Sequence, residues 1–331
     1  MAKILMLFTG GTIASMKTER GLEPVLNAQQ ILSCLPDIDE NIILDSAEIC
    51  KLDSTNMDYH YWLKLAGTIE ENYEKYDGFV ICHGTDTMAY TAAALSYLIQ
   101  NPDKPIILTG SQQPIQVEIT DAKRNLYDSI CYAADPHSKG VCLIFDGKVL
   151  AGTRAKKIMS FSYHAFSSIN FPNLAVMQHG KIVRYIPTEE KTGPLRFYHE
   201  MSPKVFALKL TPGVRPAVLE LLFKEYDCIV IESFGVGGIP DSLFSDLEAQ
   251  VKKYPEGSKV VVMTTQVIYE GSSLTTYEVG RQLKGRFPYL EAYDMNFEAV
   301  FTKMMWILAQ KDLSFPEMQA LFYSRINYDI M

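Results

Sequence analysis

Short apolar runs alternate with longer segments of helical periodicity through the first half of the chain. Residues 4–8 (ILMLF), 42–44, 79–82 (FVIC), 106–109 (IILT) and 141–145 (VCLIF) read as strands, and 59–74, 89–99 and 123–134 read as helices. Runs of this length with no polar alternation predict strands buried on both faces. Their separation by helices of about 10–15 residues predicts βαβ crossovers and a parallel sheet. Ala92-Ala93-Ala94 suits close packing of a helix on that sheet.

The pattern breaks in a polar stretch from Pro187-Thr188-Glu189-Glu190-Lys191-Thr192-Gly193-Pro194 to Met201-Ser202-Pro203-Lys204. Its prolines and charges predict an interdomain linker over 187–204. Strand-like runs then resume at 205–210, 228–231 and 260–263, with helical patterns at 215–224, 243–252, 277–283 and 297–308. The expected architecture is α/β with two domains. A larger N-terminal domain over 1–186 carries a parallel-rich sheet flanked by helices, and a smaller α/β domain covers 205–331.

Composition narrows the function. With 47% hydrophobic and 21% charged residues, the 331-residue chain can bury sizeable cores. A net charge of −8 lacks the basic footprint of a nucleic-acid binder. Cys34, Cys50, Cys82, Cys131, Cys142 and Cys228 form no C-x-x-C pair, and three of them sit inside apolar runs, as reduced structural thiols do. The apolar run after Met1-Ala2-Lys3 is shorter than the roughly 7–15 residues of a signal sequence. No segment reaches the roughly 18 apolar residues of a membrane span. The expectation is a cytoplasmic protein that meets small molecules.

Candidate chemistry collects at glycine-rich turns that directly follow strands, where open parallel sheets bind ligands. The first is Thr9-Gly10-Gly11-Thr12-Ile13, which also fits a tight strand-end turn or a phosphate loop. No G-x-G-x-x-G or G-x-x-x-x-G-K-[ST] accompanies it. The second, His83-Gly84-Thr85-Asp86-Thr87, opens a helix; one residue would cap it, and three polar residues in a row suggest more. Leu52-Asp53-Ser54-Thr55-Asn56 and Thr109-Gly110-Ser111-Gln112 read equally as a helix cap and a polar loop. His83 fits a buried, hydrogen-bonded histidine or an acid–base group. Lys156-Lys157 follows Ala151-Gly152-Thr153. A catalytic lysine needs burial to lower its pKa, whereas a close carboxylate raises it, and the sequence leaves that balance open. No H-E-x-x-H, histidine ligand spacing or G-x-S-x-G elbow is present.

Taken in order, Thr9-Gly10-Gly11-Thr12-Ile13, His83-Gly84-Thr85-Asp86-Thr87 and the segment 152–157 resemble the bacterial-type L-asparaginases. Tyr76-Asp77-Gly78-Phe79-Val80-Ile81, Thr109-Gly110-Ser111-Gln112, Phe234-Gly235-Val236-Gly237 and Asp294-Met295 extend the resemblance over nearly the whole chain. It implies hydrolysis of L-asparagine to L-aspartate and ammonia through an acyl-enzyme, with no metal or organic cofactor, in the cytoplasmic branch of the family. Thr12 corresponds to the primary nucleophile, and Thr85, Asp86 and Lys157 to the second catalytic group, with Lys157 the proton acceptor. Which threonine attacks stays open. Ser54 and Asp86 correspond to the clamp on the substrate's α-carboxylate and α-amino groups, with Thr55 and Ser111 beside them. Gly11 and Gly84 bring main-chain donors to the oxyanion. The resemblance also implies a homodimer or homotetramer, with no nucleic-acid or membrane partner.

Departures qualify the match. The loop over 16–24, expected to act as a lid with Gly21 as its hinge, lacks the tyrosine that family members often carry, and Tyr277 is the candidate to supply a phenol. Positions corresponding to a regulatory asparagine site hold Lys156, Glu232 and Val267, which argues against one. Two other readings compete: an amidase for a related amide such as glutamine, and an amino-acid sensor on the same fold. The amidotransferase subunits that share these motifs carry an extra N-terminal domain, for which a signature starting at Thr9 leaves no room.

Overall fold

A computed structural model describes residues 1–18, 21–178, 180–187, 193–255, 257–276 and 285–331. They form two compact units, Met1–His199 and Glu200–Met331. In the first, the strands are β1 (Ala2–Gly10), β2 (Ser15–Thr18), β3 (Gly21–Pro24), β4 (Ile42–Leu52), β5 (Gly78–Cys82), β6 (Ile99–Gln100) and β7 (Pro105–Thr109). They continue with β8 (Gly140–Phe145), β9 (Lys148–Ala151), β10 (Ala155–Lys157), β11 (Phe166–Ser168), β12 (Ala175–Gln178), β13 (Lys181–Arg184) and β14 (Arg196–Phe197).

Eight of these make one sheet in the order β13-β12-β9-β8-β7-β5-β1-β4. The pairs from β4 through β8 are parallel, and β8-β9, β9-β12 and β12-β13 are antiparallel. The expected parallel-rich sheet is therefore present, and it is longer than the apolar runs predicted. Every residue of β5 and β7 is buried. Helices cover this sheet, notably Met88–Leu98 and Ala122–Ala134. The first buries every residue except Tyr90. Gly152 lies so close to it that a Cβ there would stand 2.8 Å from Ser96 Oγ and 2.9 Å from the Ala92 carbonyl.

Several local readings change. The strand expected at 42–44 runs to Leu52, because β4 is an edge strand with alternating exposure whose apolar run ends at Asp45. The stretch read as a lid forms an antiparallel hairpin of β2 and β3, with Met16 opposite Glu23. Within the stretch read as linker, β14 pairs with β6, and Tyr198 N donates to the Leu98 carbonyl at 2.8 Å. The helix expected at 277–283 lies outside the described residues.

The second unit holds a parallel sheet of β15 (Val205–Lys209), β16 (Cys228–Ser233), β17 (Val260–Thr265) and β18 (Leu290–Glu291), in that order. Phe223, Ile229, Ile231, Leu243, Leu247, Val261 and Met263 are among its core. On the helix Phe297–Ala309, Lys303 is fully buried, and its Nζ reaches Asp329 Oδ2 at 2.6 Å and the Ser324 carbonyl at 2.7 Å. Asp329 Oδ1 accepts from Ile326 N at 2.8 Å. The pair thus clamps the last residues to the helix. Burial pulls the Lys303 pKa down while Asp329 opposes it.

Removing one member of a buried pair leaves an unpaired charge, at a cost of about 3–5 kcal/mol. Lys303→Met is expected to destabilise the protein by that amount in urea unfolding. Adding Asp329→Leu is expected to recover most of the loss.

Candidate functional site

Strands β1, β5 and β7 end side by side, since Phe8 pairs with Cys82 and Cys82 with Thr109. Three turns therefore leave one edge of the sheet: Gly10-Gly11-Thr12, His83-Gly84-Thr85 and Gly110-Ser111-Gln112. From β1 the chain passes outward to β4 and then across to β5 on the other side. Such a reversal opens the crevice in which α/β sheets bind ligands.

The turns touch through their backbones. A Cβ on Gly11, whose φ is +80°, would lie 2.5 Å from both Cα and N of Gly84. One on Gly84 would lie 2.6 Å from Ser54 Oγ, and one on Gly110 would lie 2.2 Å from the His83 carbonyl oxygen. Hydrogen bonds fix this arrangement. Gly11 N donates to the Leu52 carbonyl at 3.0 Å, and His83 N to that of Thr109 at 2.8 Å. Thr9 Oγ1 donates to the Cys82 carbonyl at 3.0 Å, and Thr87 Oγ1 to that of Ser54 at 2.7 Å.

Lys157 reaches this cluster from the two-stranded ribbon of β10 and β11, in which it pairs with Phe166. Its Nζ donates to Thr85 Oγ1 at 2.8 Å and to Asp86 Oδ1 at 2.6 Å. The Lys157 side chain is 19% exposed and that of Asp86 57%. At such exposure an ion pair contributes only about 0–1 kcal/mol, so the contact matters for placing the amine, not for holding the fold. Lys156, one residue earlier in the strand, is directed to the opposite face of the ribbon.

Gln112 has a part that its reading as a loop residue missed. Its Nε2 donates to the carbonyls of Ser160 and Ser162, both at 3.1 Å. Those two acceptors fix which end of the amide is oxygen, and Oε1 accepts from Thr85 Oγ1 at 3.3 Å. The Thr85 hydroxyl is thus engaged on both sides. The Asp121 carboxylate holds the Gln112 turn by accepting from the main-chain N–H groups of Gln112 and Gln113.

Of the residues singled out, Gly11, Ser54, Gly84, Thr85, Asp86 and Lys157 share this cluster. Thr12 is half-buried directly after Gly11, and among the described residues no partner takes its hydroxyl. Thr55 is exposed, and its N and Oγ1 both donate to Asp53 Oδ1 at 2.9 Å. Ser111 is buried, and its hydroxyl donates to the Gln113 carbonyl. Tyr277 lies outside the described residues. Among those residues no three His, Cys, Asp or Glu side chains converge as a metal-binding group, and no helix is long and apolar enough to cross a membrane.

Known proteins share this architecture. The chain belongs to the asparaginase family: residues 3–189 match the asparaginase N-terminal domain, and 204–322 match the glutaminase/asparaginase C-terminal domain. It is 42% identical over 311 residues to the L-asparaginase of Thermococcus kodakarensis, covering 92% of each chain. The solved structure of the thermostable L-asparaginase from that organism superposes with a TM-score of 0.92 at 37% identity, covering 99% of both chains. L-asparaginase 1 of Escherichia coli is 32% identical over 320 residues, covering 93% of this chain and 92% of its own. A probable cytoplasmic L-asparaginase from Campylobacter jejuni superposes with a TM-score of 0.83 at 26% identity, covering 98% of this chain and all of that one.

His83, fully buried between these turns, has its pKa pushed down by burial to about 4. The unfolded chain binds its proton at an ordinary histidine pKa of about 6.5. Above that value both states are neutral and the contribution is complete. Between about pH 6.5 and 4 only the unfolded chain takes up the proton, so stability falls as pH falls. The window spans a loss of roughly 3 kcal/mol at about 1.4 kcal/mol per pKa unit. Urea unfolding across that range is expected to show this loss in the wild type and a shallower one in His83→Asn.

Proposed function

We propose that the chain is an L-asparaginase that hydrolyses L-asparagine to L-aspartate and ammonia through a threonine acyl-enzyme. The observation that carries this reading is the Lys157 amine bonded to both Thr85 and Asp86, beside the backbone contact of Gly11 and Gly84. Relatives bearing that name cover nearly the whole chain.

The chemistry follows from the needs of a carboxamide, a poor electrophile. Thr12 is the attacking hydroxyl. The Thr85 hydroxyl is tied to Lys157 and Gln112, whereas that of Thr12 has no partner among the described residues. The Thr12 hydroxyl adds to the carboxamide carbon, its proton passing to the Lys157 amine, and the oxyanion that forms is stabilised by main-chain donors around Gly11 and Gly84. Such a donor is worth about 3–4 kcal/mol of barrier. Collapse returns that proton to the departing nitrogen, expels ammonia and leaves aspartyl-Thr12. Water then cleaves the ester, its proton passing through Thr85 to Lys157 and from there to the released Thr12 oxygen. A weak nucleophile of this kind needs a neighbouring base. Asp86 faces the substrate's α-ammonium, and Ser54 its α-carboxylate. Thr55 and Ser111 would line the site through main-chain groups, since their hydroxyls serve their own loops.

The family resemblance further supports a cytoplasmic homodimer or homotetramer. Light scattering that returned a monomer would remove that part. A second amide is the competing substrate. Glutamine is longer by one methylene, which carries about 1–3 kcal/mol of discrimination. Side-by-side kcat/KM is expected to favour asparagine, and a preference for glutamine would reassign the enzyme.

Thr12→Ala and Thr85→Ala are each expected to lower ammonia release at least about 10³-fold with the fold intact, the scale on which a reacting group acts. Lys157→Met should do the same and Lys156→Met should be far milder. Near-normal turnover by either folded threonine variant, or the reverse order of the lysines, would overturn these roles.

A further inference from the structure

The hydrogen bonds of His83 form a directed chain. Its Nδ1 lies 2.7 Å from the carbonyl oxygen of Gly84. A carbonyl only accepts, so Nδ1 carries a hydrogen. Its Nε2 lies 2.9 Å from Thr91 Oγ1, which in turn accepts from Trp62 Nε1 at 2.9 Å. The single Thr91 hydroxyl hydrogen can go to Nε2 or, at 3.3 Å, to the Thr87 carbonyl. Burial keeps the ring neutral, which leaves Nε2 an acceptor and selects the shorter bond. Direction is thereby set from Trp62 through Thr91 and His83 to the Gly84 carbonyl, and all four residues are buried.

That carbonyl belongs to the peptide joining Gly84 to Thr85. No peptide bond among the described residues is cis. In a planar trans peptide C=O and N–H point in opposite directions. Holding the Gly84 oxygen against the imidazole therefore turns the Thr85 N–H away from His83. Thr85 is only 5% exposed. Among the described residues no acceptor is bonded to that N–H. A buried N–H with no protein acceptor is rare, and this one belongs to one of the two threonines given roles in the reaction.

We propose that His83 is a positioning residue whose Nδ1–H locks the Gly84–Thr85 peptide, aiming the Thr85 N–H at the oxyanion formed on the substrate carboxamide. This rests on the amide hydrolysis proposed above and adds the group that aims one of its main-chain donors. His83 itself touches no reacting atom. A donor that matters only once charge develops acts on kcat and leaves KM nearly unchanged.

The test compares His83→Asn, which keeps an N–H near the Nδ1 position, with His83→Gln, which reaches the Nε2 position instead. With asparagine as substrate, His83→Gln is expected to lose on the order of 10²-fold in kcat, the effect of losing an oxyanion donor, with KM changed less than about threefold. His83→Asn is expected to stay within about fivefold of wild type. Equal kcat in the two variants, or wild-type turnover in His83→Gln, would overturn the inference. A measurement on the wild type needs no variant to fold: its ¹⁵N imidazole spectrum should contain one non-titrating ring protonated at Nδ1 from pH 5 to 9, as the tautomer requires. A ring protonated at Nε2 in that place would overturn the inference while leaving the hydrolase reading intact. A wild type that releases no ammonia from asparagine or glutamine would bring down both.

Discussion

Everything at the crevice depends on two strand-end turns approaching closer than any side chain allows. Gly11 and Gly84 meet backbone to backbone, with 2.5 Å left where a Cβ would go. The contact is a steric requirement more than an energetic one. It brings two threonine-bearing turns, on separate strands of one sheet, to a common point. The parallel register of β1, β5 and β7 delivers the turns to the same level. Glycine supplies the positive φ at position 11 without strain. Ser54 then closes over Gly84 from the loop that follows the edge strand.

Around this contact, polar groups divide by environment. His83 and Thr91 are buried, satisfied and neutral, so they contribute direction without charge. Lys157 and Asp86 are partly open to solvent. Gln112 joins the two zones, because one amide meets the Thr85 hydroxyl and the loop that returns from Lys157.

Much of this is legible in the sequence, for physical reasons that also mark where legibility stops. The strands β1, β5, β7 and β8 are covered on both faces, so their apolar runs stand out without alternation. Edge strand β4 reads short because its apolar run stops at Leu44 and polar residues recur from Asp45 onward. The antiparallel extension through β9, β12 and β13 has strands of four residues, too brief for a period to register. The helix Phe315–Tyr323 escapes the periodicity reading although Ser314 and Glu317 spell a capping box before it. Turns bearing Thr12 and Thr85 are legible because glycine after an apolar run is a local signal. The role of Gln112 is not, since its partners lie tens of residues away, nor is the chain ending on the Gly84 carbonyl, which no periodicity records and whose first donor, Trp62, is 29 residues from Thr91.

The ribbon of β10 and β11 carries a further consequence. Adjacent residues in a strand look to opposite sides, and two lysines occupy neighbouring positions there. Choice between them is a matter of parity: an odd shift of the strand relative to the sheet would present the wrong amine, whereas an even one would misplace it by a full repeat. Insertions or deletions in that ribbon should therefore be far less tolerated than substitutions at its half-buried positions, and Ala155 and Phe166, both buried, seat it in the core. Evolution of this site is constrained in counting as much as in chemistry.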